Sequence, residues 1–143
     1  MEALRLPNGG AGHVRRAVTH LARRLRAERS DISVSSGKLS LLSHLVRRGP
    51  LTPGELAAAE FVQPQSLTRV LADLEEAGLV ERSPHHDDGR RYVVAITANG
   101  REVLSRDMEG RDRWLAEAMV GLTQTERDVL RIAATLMERM ADT

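Results

Sequence analysis

A chain of 143 residues suits one domain, and 41% hydrophobic content with only 2% aromatics calls for an aliphatic core, the kind helices build on helices. The absence of cysteine excludes disulfides, thiolate zinc sites and cysteine redox sensing, and no apolar run approaches the roughly 20 residues that cross a bilayer. The net charge of +1 hides an asymmetry: residues 13–49 carry nine Arg or Lys against two carboxylates, whereas residues 52–97 carry four against eight.

Residues 1–11 hold glycine and proline without periodicity and without the apolar core of a signal peptide, so a frayed start and a soluble cytoplasmic protein are expected. From His13, Val14, Val18, Leu21 and Leu25 recur at four, three and four, a narrow seam suited to pairing with another helix. Ser30-Asp31 should break it. A second helix is predicted from Ser35 or Ser36, both good N-caps, through Leu39, Leu42, Leu45 and Val46. Gly49, at a left-handed cap position, and Pro50 end it. Thr52-Pro53-Gly54-Glu55 spells a capping box with proline at the first helical position, opening a short helix that stops near Glu60.

Pro64 opens the next helix, with Leu67, Val70, Leu71 and Leu74 on its apolar stripe and Gly78 at its end. Leu79–Arg82 and Arg91–Thr97 read as two strands of a hairpin around a polar loop, Ser83 to Arg90. Thr97 is placed to cap a long helix through Val103, Leu104, Met108, Leu115 and Met119. Gly121 interrupts it, and Thr123 to Glu126 form a second capping box. The last helix carries Val129, Ala133, Leu136 and Met140 on one stripe.

The order short helix, tight connection, amphipathic helix, hairpin is that of a winged helix-turn-helix, in which the second helix protrudes to enter a major groove. Opposite the leucine stripe, the helix from Pro64 to Ala77 presents Gln65, Arg69, Ala72 and Glu76, flanked by Ser66, Thr68 and Asp73. Its first half is polar or basic and its second half acidic, the polarity required if the N-terminal half inserts. Gln65, Ser66, Thr68 and Arg69 are therefore the candidate groove residues, with Arg69 able to bind guanine and Gln65 adenine in two-point contacts. Ser35, Ser36 and Lys38 are candidate phosphate contacts at the start of the second helix.

Asp88-Gly89-Arg90, five residues, then Ile96-Thr97 resembles the wing signature of the multiple antibiotic resistance regulator (MarR) family, with Ile in place of Leu. Leu74 to Arg82 is similar to that family's passage from recognition helix to wing. The likeness runs from about His13 to Met140. It implies a homodimer on double-stranded DNA, with Arg90 reaching a minor groove, Asp88 pairing with an arginine to hold the loop, and Arg91 as a further phosphate contact. It also implies a cleft for a small anionic aromatic effector, with Arg16, His20, His44 and Trp114 as candidate lining.

His85-His86-Asp87-Asp88 offers adjacent donors in one loop, a poor arrangement for a single ion, so no metal or cofactor is expected. No Ser-His-Asp, Walker or dinucleotide pattern supports an enzyme. The expected architecture is mainly α with a β-hairpin wing: residues 1–34 as an N-terminal dimerisation helix, 35–97 as the DNA-binding region, 98–143 as C-terminal dimerisation helices. The function expected is an effector-responsive repressor of a near-palindromic operator. Two other readings remain: a winged-helix module that docks proteins, encouraged by the acidic balance of residues 52–97, and a small-molecule-binding helical protein that does not bind DNA.

Overall fold

In a computed structural model, described for residues 9–28 and 34–143, the order is α1 (Ala11–Ala27), α2 (Ser36–Arg48), α3 (Pro53–Ala59), a 3-10 turn (Pro64–Leu67) leading into α4 (Thr68–Glu76), β1 (Val80–Pro84), β2 (Tyr92–Ile96), α5 (Ala98–Val120) and α6 (Gln124–Ala141). The expected break at Ser30-Asp31 lies outside the described residues. Two compact units result, Arg29–Glu109 and Met1–Glu28 with Gly110–Thr143.

Within the first unit, the buried apolar side chains run from Leu39 to Leu104. Leu41, Leu42 and Leu45 of α2, Leu56 of α3, Leu71 and Leu74 of α4, and Val94 of β2 form its centre. Each such leucine contributes about 1.5–3 kcal/mol by leaving water. Caps define the helices as the sequence implies. Ser35 accepts from the Lys38 N–H, and Thr52 and Glu55 exchange both capping-box bonds at 3.2 Å. Gly49 differs from expectation: φ is +80° but ψ is −166°, so it turns the chain into extended backbone instead of closing a left-handed cap.

The hairpin is antiparallel with Val80 opposite Ile96 and Pro84 opposite Tyr92. It sits one or two residues later on β1 than the sequence suggests, because Leu79 is drawn into the core. Proline is tolerated at the far end of β1, where no ladder N–H is required. Thr97 then joins three elements. Its N–H donates to Leu79 O at 3.0 Å, its hydroxyl donates to Gly78 O at 2.6 Å, and the same oxygen accepts from the Gly100 N–H at 3.1 Å. Gly100 follows from this packing, since a Cβ there would collide with the Leu79 carbonyl oxygen.

In the second unit, α1 starts at Ala11, two residues before the expected His13, and neither α1 nor α6 has a buried side chain. Val14, Val18 and Leu21 are 42–45% exposed, and Ile132 and Met140 of α6 more than 60%. Thr123 and Glu126 complete the capping box of α6, at 3.1 and 2.8 Å. Among the described residues no helix is long and apolar enough to cross a membrane.

Candidate nucleic-acid interface

The candidate reading element begins differently from the regular helix expected at Pro64. Its first turn, Pro64–Leu67, is 3-10, with the Ser66 N–H donating to Gln63 O at 3.0 Å. Proline supplies a preset φ and no N–H, which suits a tight first turn. The face assignment holds: Leu67, Leu71 and Leu74 are buried, while Gln65, Ser66, Thr68 and Arg69 are exposed. The Arg69 side chain is 90% exposed, and its Nε lies 3.4 Å from Asp73 Oδ1, one turn along.

Ser35 is the N-cap of α2 and Ser36 its first residue. The Lys38 ammonium lies 3.8 Å from the other Asp73 oxygen. Asp73 is thus shared by a candidate phosphate contact and a candidate base reader, which draws α2 and α4 into one charged cluster.

At the wing tip, Asp88 closes a local turn. Its carboxylate accepts from the Arg90 backbone N–H at 3.0 Å, and its carbonyl accepts from the Arg91 N–H at 3.0 Å. Among the described residues it pairs with no guanidinium. A short side chain at a turn reaches its own backbone two residues on before it reaches a flexible arginine. Arg90 and Arg91 stay exposed beside Arg82, Ser83, Pro84 and Tyr92 around an open depression on one side of the hairpin.

Three positioning features were not read from the sequence. Leu51, between α2 and α3, bridges β2: its N–H donates to Val94 O at 3.0 Å and Val94 returns the bond at 2.7 Å. This pins the base of the hairpin to the helix-turn-helix. Arg82 forms an ion pair with Glu75 at the end of α4, and its guanidinium lies 4.6 Å over the Tyr92 ring. Thr97 holds the end of β2 to Gly78, as described above. All three join different elements, Leu51 to Val94 and Thr97 to Gly78 across more than fifteen positions, beyond the reach of local patterning; the isolated leucine between Pro50 and Thr52 was the one available hint.

The residues suggested for an effector have separate surroundings. Arg16 and His20 are exposed on α1. Trp114 is half-buried with the Arg24 guanidinium 4.7 Å over its ring. His44 is engaged at both nitrogens, Nδ1 2.9 Å from an Arg47 amino group and Nε2 2.8 Å from Glu60 Oε1. The loop donors His85, His86 and Asp87 come within 4.8 Å of one another, closer than their adjacency suggested. Local bonds occupy them: the Asp87 N–H donates to His85 Nδ1 at 3.2 Å, and His86 Nε2 lies 3.0 Å from Asp87 Oδ2.

Known proteins match this arrangement. The MarR family profile covers residues 34–92. An uncharacterised HTH-type transcriptional regulator of Mycobacterium bovis is 43% identical over 126 residues, 88% of each chain. An HTH-type transcriptional repressor of Bacillus subtilis is 27% identical over 111 residues, 76% of this chain and 66% of that one. A MarR family protein from Bacillus stearothermophilus superimposes with a TM-score of 0.84 over 100% of both chains at 19% identity, a likeness of fold. The Mycobacterium bovis and Bacillus subtilis relatives carry the names of transcriptional regulators. Regulators of this kind bind DNA and typically act as dimers. The chain belongs to the MarR family of helix-turn-helix transcriptional regulators.

Proposed function

We propose that this chain is an effector-responsive repressor that binds a near-palindromic duplex as a homodimer in the cytoplasm. The 3-10 turn and α4 enter the major groove and the hairpin tip follows the adjacent minor groove. The observation carrying this reading is the division of the 3-10 turn and α4 taken together: Leu67, Leu71 and Leu74 on one face fill the core, while Gln65, Ser66, Thr68 and Arg69 stand exposed on the other. In this scheme Arg90 enters the minor groove, Arg91, Lys38 and the Ser35-Ser36 start of α2 meet phosphate, and Asp88 shapes the loop that presents Arg90.

Residues 1–34 and 98–143 supply dimerisation and residues 35–97 supply DNA binding. The exposed apolar side chains of α1 and α6 support that division, because a second copy is the economical cover for them. The name of the Bacillus subtilis relative supports the repressor assignment. A small anionic aromatic effector, met by Arg16, His20 or Trp114, lowers affinity by about 1–3 kcal/mol of coupling.

Selection of bound sites from a random duplex pool tests the reading. An enriched motif with two related half-sites about 10 base pairs apart is expected, bound with strong salt dependence. Weak, sequence-indifferent retention with no enriched motif would count against it and favour a protein-docking module.

A further inference from the structure

The turn between α3 and the 3-10 segment contains a backbone outlier. Phe61 has φ +56°, and among the described residues it is the only non-glycine with positive φ. Its N–H donates to Ala58 O at 3.2 Å, and the Val62 N–H donates to Ala57 O at 3.0 Å. With Glu60 as C-cap, these two bonds make a Schellman closure. Its left-handed position is ordinarily glycine, because any Cβ there crowds the backbone. Here it is occupied by a phenylalanine that recovers nothing by packing, since Phe61 is 90% exposed. Glycine would serve this fold better. Strain held at a side chain with no partner in its own fold points to a partner outside it.

The surroundings suit a nucleic-acid partner. Residues 61–66 are exposed without a break, so Phe61 and Val62 run directly into Gln65 and Ser66 at the start of the reading element. Phe61 to Thr68 contains no charged residue, and the preceding acid, Glu60, is turned toward Ser40 and His44. Nothing in this strip repels a polyanion. In the major groove, the apolar group a base edge offers is the thymine C5-methyl. We propose that Phe61 is a further specificity residue: its ring packs on a thymine methyl at the edge of each half-site. The proposal rests on α4 reading the major groove, as set out above.

The test uses the full-length protein and a duplex selected by it from a random pool. Each thymine is replaced in turn by dU, which removes the methyl alone. The parent should lose about fourfold in affinity per methyl removed at one thymine per half-site, the worth of one buried carbon. Phe61→Gly and Phe61→Asn, both suited to the left-handed backbone, should bind the unmodified duplex correspondingly less tightly and ignore that same dU. Phe61→Gly should also melt a few degrees higher than the parent. A parent insensitive to every dU, or variants that bind like the parent, overturn the proposal and leave the DNA-binding reading intact. Lower melting of Phe61→Gly, or a shift in its sedimentation without DNA, also overturns it, by assigning Phe61 to the fold or to self-contact. A parent that selects no duplex overturns both.

Discussion

Lys38 and Asp73 face each other across α2 and α4, Nζ 3.8 Å from Oδ2, while the second Asp73 oxygen holds Arg69. A phosphate that binds Lys38 must therefore compete with a carboxylate already in place. Such partly exposed pairs are worth only about 0–1 kcal/mol, so the competition is winnable but not neutral. Lys38→Ala should make the logarithmic salt slope of DNA binding shallower by about two for the dimer, one phosphate per subunit, with sequence preference unchanged. Asp73→Asn should act oppositely, tightening binding about twofold to fivefold per subunit at low salt. Titrations across a salt series measure both. A slope that Lys38→Ala leaves untouched would place this lysine away from DNA.

Arg69, almost wholly exposed on the outer face of α4, should read sequence instead of merely adding charge. Arg69→Ala is expected to cost about 1–3 kcal/mol in DNA affinity and to relax preference at one base pair per half-site. The selected-site motif of the variant decides the matter. If it matched the parent's at every position, Arg69 would be a backbone contact.

The start of α3 should make stability sensitive to acid. The Thr52 backbone N–H, and next its hydroxyl, hold the Glu55 carboxyl below its ordinary value of 4.5. A depressed folded value means that the stabilisation is present above about pH 4.5 and is lost as pH falls through the folded value. Glu55→Gln can keep the capping geometry but cannot titrate. Its melting temperature should therefore fall less than the parent's between pH 5 and about pH 3, by scanning calorimetry. Parallel curves would show that Glu55 contributes nothing to the acid limb.

The terminal helices should fail as an interface before they fail as helices. Leu136 lies on the stripe of α6 and is 47% exposed. Leu136→Glu places a charge where a partner's apolar surface is expected, twice per dimer, which should weaken association by about 2 kcal/mol or more. Sedimentation should show dissociation at micromolar protein with helix content by circular dichroism retained. An unaltered dimer would move the interface elsewhere.

Local chemistry made much of this protein legible from its sequence. Thr52 with Glu55, Thr123 with Glu126, Pro53 and Pro64 mark helix starts through bonds spanning three residues, so the sequence alone specifies them. The leucine spacing of α4 likewise sets which face is buried, and hence which side chains are offered to a groove. Tertiary structure decided what depends on distant partners. Leu51 reaches β2 across more than forty residues, and Arg82 of the wing pairs with Glu75 of α4. Asp88 accepts a hydrogen bond from the Arg90 backbone N–H. Lys38 met Asp73 because α2 and α4 contribute to one shared core, which set a distance no periodicity encodes. The strain at Phe61 belongs to the same class, since a positive φ arises from the closure of α3 and not from the preference of phenylalanine.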